Sequence, residues 1–267
     1  MRIAIQVLIV AVGLLAAAEA DTVVSDHAPG VAGRVVLLHG LARSAASMSK
    51  VQDALRADGY DVCNVEYPSR DHTIEILAAE FVAPAIAKCF PQVINDPIHF
   101  VTHSMGGILV RQLAATKAVP NIGRVVMLSP PNHGSEVVDK LGDFKVFDWV
   151  NGPAGKEIGT GIDSTPLRLG PASFELGIIT GVRTINPFLS MMIPGSDDGK
   201  VGVDNAKLEG MKDFLVLRCS HPMIMKSTHA IEQTVYFMNH GAFLRVGVSK
   251  TQAPASSDPQ EPGDCWN

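Results

Sequence analysis

Short runs of apolar, mostly β-branched residues alternate along this chain with stretches whose apolar residues recur every three or four positions. Residues 34–38 (RVVLL) form the first run, ended by His39-Gly40. Residues 47–58 then show helical spacing at Met48, Val51 and Leu55, closed by Gly59. Residues 60–67 predict a second strand, stopped by Pro68, and 74–90 a helix carrying Ile74, Leu77, Phe81 and Ile86, with Pro84 inside it as a candidate kink. A third strand (98–102), a helix (108–116) and a fourth strand (124–128) follow. Further strands are expected at 189–193 and 214–217, and a closing helix at 224–239 ahead of His240-Gly241. Strands buried on both faces and alternating with helices predict an α/β fold, a mostly parallel sheet with helices on both sides.

The rhythm breaks between Pro130 and about Gly181, where Gly and Pro are frequent and the helical pattern is weak. This segment reads as an insertion forming a lid or a pocket wall. Its apolar residues Val137, Val138, Leu141, Phe144, Val146, Phe147, Trp149 and Val150 either line a site or pack a helix on the core. Residues 249–267 form a polar, Pro-containing tail. At the other end, Arg2, the apolar run 3–17 and Ala18-Glu19-Ala20 fit a cleaved signal peptide over residues 1–20, with an uncleaved membrane anchor as the alternative. That leaves 21–248 as one domain, exported to the periplasm or secreted.

The net charge of -5 gives no electrostatic footprint for nucleic acid. Four cysteines, Cys63, Cys89, Cys219 and Cys265, allow three pairings in an exported protein. The favoured pairs are Cys63–Cys89 and Cys219–Cys265. The competing reading makes Cys63 and Cys89 small buried apolar residues.

Chemistry concentrates in Thr102-His103-Ser104-Met105-Gly106-Gly107, a serine at the apex of a strand–turn–helix. The segment resembles the nucleophile elbow of α/β-hydrolases. It departs from the usual pattern in carrying Thr102 where glycine is common. A serine hydroxyl needs a base, and the base needs an orienting group. The family order of serine, acid, histidine leaves His221, His229 and His240 as late histidines. His221 directly follows a strand, whereas His229 falls within a helix and His240 at its C-terminus. Asp198, in the turn Asp198-Gly199-Lys200-Val201, is the favoured acid, ahead of Asp197 and Asp204. Backbone N–H groups of Met105 and Leu41 are the candidate oxyanion donors. His39 and His103 read as packed, hydrogen-bonded residues.

With His39-Gly40, Pro131-Asn132-His133-Gly134-Ser135 and the Asp198 turn, the chain resembles bacterial α/β-hydrolase lipases and esterases over about residues 34–243. The resemblance implies a serine hydrolase acting on small-molecule or lipid carboxylic esters through an acyl-enzyme, with no metal and no cofactor. Transient contact with a lipid interface belongs to the same expectation. Two other readings stand beside it. An acyltransferase or thioesterase would use the same three residues, and a non-catalytic binding protein would keep only the scaffold.

Overall fold

The computed structural model describes residues 32–91, 96–141, 145–245 and 263–265, with only the backbone course described for 145–150. The expected signal peptide, its cleavage before Asp21 and most of the C-terminal tail lie outside the described residues. Six strands form one parallel sheet: β1 (Arg34–Leu38), β2 (Asp61–Val65), β3 (Ile98–His103), β4 (Ile122–Leu128), β5 (Leu176–Gly181) and β6 (Asp213–Arg218). A two-residue β7 (Gly263–Asp264) extends it, giving the order β2-β1-β3-β4-β5-β6-β7. The described helices are α1 (Ser49–Ala57), α2 (Ile74–Ile76), α3 (Ala83–Cys89), α4 (Met105–Ala115), α5 (Glu136–Leu141), α6 (Lys145–Lys156), α7 (Thr165–Arg168), α8 (Pro187–Ser190), α9 (Val203–Ala206) and α10 (Thr228–His240).

The alternation along each strand explains why both faces are covered. In β1, Val36 and Leu38 point into a cluster with Ile74, Leu77, Leu109 and Leu113 from the α2–α4 side. Val35 and Leu37 point the other way, into a cluster with Val51 and Leu55 of α1 and Phe237 of α10. All four β1 residues are fully buried, as expected for a strand between two helical layers. Residues 74–89 run as one helical rod in which a π-helical segment, Leu77–Val82, joins α2 to α3. Pro84 is the second residue of α3, just past the π segment.

Two expectations from the sequence are corrected here. Residues 189–193 are not a strand. Asn186 caps a short helix by accepting from the Leu189 N–H, and Pro187 begins it, so the apolar run LSMMI stays outside the sheet. The fifth strand is instead Leu176–Gly181 (LGIITG), within the segment read as the insertion. Its glycine disguised it: the Phe237 ring of α10 lies where a side chain at Gly177 would go, 2.6 Å from an ideal Cβ. The rest of the 130–181 segment folds into α5, α6 and α7, with a break at Gly152 inside α6.

Cys63 of β2 is bonded to Cys89 of α3, and Cys219 after β6 to Cys265 after β7. The first bond ties the rod to the sheet edge across 26 positions, and the second ties the chain's end to β6 across 46. We expect intact mass to show no alkylation of the unreduced protein. Cys63→Ser/Cys89→Ser should lose about 3–4 kcal/mol of unfolding free energy on the chain-entropy account. Incorporation of alkylating reagent without reduction would contradict the pairing.

Candidate active site

The site is assembled where β1, β3, β5 and β6 end, at the carboxyl edge of the sheet, the usual location for sites on open α/β sheets. β3 runs straight into α4 through Ser104, whose backbone is at φ 54 and ψ -125. Serine does not adopt that conformation without support. The support is local: the Ser104 N–H donates to the Leu128 carbonyl at 2.8 Å, and the Gly107 N–H donates to the Ser104 carbonyl at 3.0 Å. The first turn of α4 also presses on the end of β1. A Cβ on Gly106 would stand 2.6 Å from the Leu38 carbonyl oxygen and 2.9 Å from that of His39. Thr102, the departure from the usual glycine, is fully buried between Leu38 of β1 and Met127 of β4, its hydroxyl without a partner.

His221 comes to Ser104 from the loop after β6. Its Nε2 lies 3.0 Å from Ser104 Oγ, and its Nδ1 lies 2.9 Å from Asp198 Oδ2. With the Nδ1 proton donated to the carboxylate, Nε2 is the acceptor for the serine hydroxyl. The other Asp198 oxygen, Oδ1, accepts from the N–H groups of Lys200 and Val201 at 3.0 and 2.9 Å. Burial pushes the Asp198 carboxyl up, but the charge and hydrogen bond of His221 outweigh it, so the group titrates below the usual carboxylate range. Asp198 is fully buried, and Ser104 and His221 are nearly so.

The competing candidates are engaged elsewhere. Asp197 accepts from the Ser190 hydroxyl at 2.6 Å and from the Gly199 N–H at 2.7 Å, which shapes the loop. Asp204 is paired with Lys207 on the surface at 2.8 Å. His229 is half-buried within α10. His240 is exposed at the end of α10 and donates from Nδ1 to the Tyr236 carbonyl at 2.9 Å. His39 is buried, donates from Nδ1 to the Gly40 carbonyl at 2.9 Å and stacks on Tyr67 at 4.0 Å between ring centroids. The Tyr67 hydroxyl in turn donates to the His39 carbonyl, so His39 braces the loop after β1. Burial pushes its imidazole below the ordinary value.

One contact had no signal in the sequence. The Nε2–H of His103 donates to the backbone carbonyl of His221 at 3.0 Å, while the His221 N–H donates to the Asp198 carbonyl at 2.9 Å. The residue beside the serine thus holds the backbone that carries His221. Burial, reinforced by the nearby His221, pushes the His103 imidazole well down, and it stays neutral. Nothing in the local pattern of residue 103 names a partner 118 positions away.

Ser104 and His221 open onto a cavity with an apolar wall of Leu41, Pro131, Val137, Val138, Ile158 and Val201. Arg43 and Lys200 also line it, as do Ser135 and Asn151. Several of these come from the 130–181 segment. Phe144 lies outside the described residues, as do the side chains of Val146, Phe147, Trp149 and Val150. Among the described residues no cluster of three or more His, Cys, Asp or Glu side chains could hold a metal ion.

A profile of the α/β hydrolase fold matches residues 33–161, and no curated protein matches the sequence. Solved structures do. Against the mature Bacillus licheniformis lipase BlEst2 the TM-score is 0.58 at 22% identity, covering 80% of this chain and 93% of that one. Against a metagenomic carboxyl esterase it is 0.57 at 19% identity, covering 73% and 65%. Against the phospholipase PlaB of Legionella pneumophila it is 0.57 at 17% identity, covering 69% and 52%, so this chain spans about half of that protein. At such identities the likeness establishes the fold.

The approach of Gly106 to β1 generates a test. Gly106→Val should lower the unfolding free energy by about 1–3 kcal/mol, because backbone carbonyls cannot move aside as a side chain can. Denaturant unfolding measures it, and a variant as stable as the parent would show that the turn yields.

Proposed function

We propose that this chain, a lipase/esterase-like protein of the α/β-hydrolase fold, is a serine hydrolase that cleaves carboxylic esters through an acyl-enzyme. The observation that carries the reading is the unbroken hydrogen-bond chain from Ser104 Oγ through His221 to Asp198, on a serine held at positive φ. Three such groups in sequence are what a hydroxyl needs to act as a nucleophile near neutral pH.

In this mechanism Ser104 Oγ attacks the ester carbonyl as His221 Nε2 takes its proton. The imidazolium that forms is stabilised by Asp198, which keeps the proton on Nδ1 and fixes the ring. His221 then gives the Nε2 proton to the departing alkoxide, and the alcohol leaves. A water molecule, deprotonated by the same nitrogen, attacks the acyl-serine, and the carboxylic acid is released with Ser104 regenerated. The tetrahedral oxyanion is met by the N–H groups of Met105 and Leu41. Met105 opens α4, so its N–H has no carbonyl one turn back to bind, and Leu41 lines the cavity. The apolar wall suits a hydrocarbon part of the substrate.

Export fits the two disulfides, which persist in oxidising compartments, and among the described residues no helix is long and apolar enough to cross a membrane. Ile185, Phe188 and Met191 stand exposed around α8, on the stretch leading from β5 to Asp197 and Asp198. That rim suits brief contact with a lipid interface.

Ser104→Ala should keep the fold by circular dichroism and lose at least about a thousandfold in turnover of p-nitrophenyl esters. Residual activity within tenfold of the parent would overturn the reading. A fluorophosphonate probe should add its mass at Ser104 alone, and labelling elsewhere would do the same. Asp198→Asn should cost about ten-thousandfold in kcat/KM, by loss of the correct imidazole tautomer, and Asp197→Asn far less. Equal or reversed losses would assign the acid wrongly.

A further inference from the structure

Two cations share the cavity with Ser104, and the mechanism uses neither. Arg43 sits in the tight turn after β1, where Ala42 is at φ 55 and its N–H donates to Ser69 Oγ at 3.1 Å. The Arg43 N–H closes the turn on the Gly40 carbonyl at 3.2 Å. Lys200 sits in the acid loop. Its N–H is bound by Asp198, and its carbonyl accepts from Ser135 Oγ at 2.7 Å. Both side chains therefore spring from backbone that is pinned, and pinned by the same loops that place the reacting groups.

No acidic residue lines this cavity among the described residues. The carboxylate that acts on Lys200 is Asp198, which is fully buried and already committed to His221 and two backbone N–H groups. Lys200 also feels its neighbour: crowding by protein pushes its ammonium down, and Arg43 pushes it further against the pull of Asp198. Holding two like charges at one cavity is unfavourable until an anion arrives, and these two stand there in a chain of net charge -5. Both remain exposed to solvent, whereas Val138, Ile158 and Val201 are buried. Charge is thus offered at the mouth and hydrocarbon contact inside.

We propose that the substrate is an ester bearing an anionic oxygen group, a carboxylate or a phosphate, and that Arg43 and Lys200 bind this group at the mouth of the cavity while Ser104 attacks the ester. This rests on the hydrolase reading above and narrows its substrate class. A guanidinium offers a planar fork to either anion, and an ammonium adds a point charge.

Two pairs that differ in the anionic group test it at low ionic strength: p-nitrophenyl hydrogen glutarate against p-nitrophenyl pentanoate, and monobutyryl glycerol phosphate against monobutyryl glycerol. The parent should favour the charged member of at least one pair by about tenfold in kcat/KM, the worth of a charge-assisted hydrogen bond. The responding pair tells carboxylate from phosphate. Arg43→Gln and Lys200→Gln should each lower that preference about fivefold or more, from the loss of one such contact. Arg43 is exposed, so if Lys200→Gln fails to fold, Arg43→Gln alone decides. A preference at or below unity in both pairs, or one unmoved by the folded variants, overturns the proposal. If neutral esters are still turned over in a Ser104-dependent way, the hydrolase reading survives that failure. If turnover persists in Ser104→Ala, that reading falls as well.

Discussion

The site depends on one tight turn. β3 ends in the middle of the sheet, and α4 begins with no intervening loop, so Ser104 must carry a backbone conformation that its side chain disfavours. The surroundings over-determine it through the Leu128 carbonyl on one side and the Leu38 and His39 carbonyls facing Gly106 on the other. The serine consequently stands at the N-terminus of α4 with its hydroxyl within reach of His221.

Every other group of the site is referred to that turn. His103 reaches from β3 to hold the His221 backbone, and the acid loop receives the His221 N–H. The imidazole is fixed at both ring nitrogens and along its main chain. In the proposed mechanism such redundancy would limit the reorganisation that proton transfer requires. The disulfides work at a greater distance, one at each side of the sheet, and leave the central strands to be held by their ladder hydrogen bonds and by packing.

The loop carrying Asp198 has three tasks in four residues. Asp197 shapes it, Asp198 meets His221, and Lys200 presents charge to the cavity. Adjacent carboxylates can diverge in this way because successive side chains in a turn leave on different sides. Asp197 accepts from the Gly199 N–H and the Ser190 hydroxyl, whereas Asp198 gives one oxygen to the Lys200 and Val201 N–H groups and the other to an imidazole from the loop after β6.

The sequence by itself determined the layered α/β architecture and five of its six principal strands, because RVVLL and its like have no polar face and can only lie between helices. It also singled out Ser104, His221 and Asp198, since each falls in a turn after an apolar run. The fifth strand was hidden, because the glycine that admits Phe237 looks like a turn until the helix bearing that ring is in place. The false strand at 189–193 arose because an apolar run carries no record of whether a neighbouring strand is free to pair. Tertiary structure alone decided what His103 binds and that Arg43 and Lys200 face one cavity across 157 positions of chain. These are contacts between distant segments, set by how the strand ends converge, and local residue patterns do not encode that convergence.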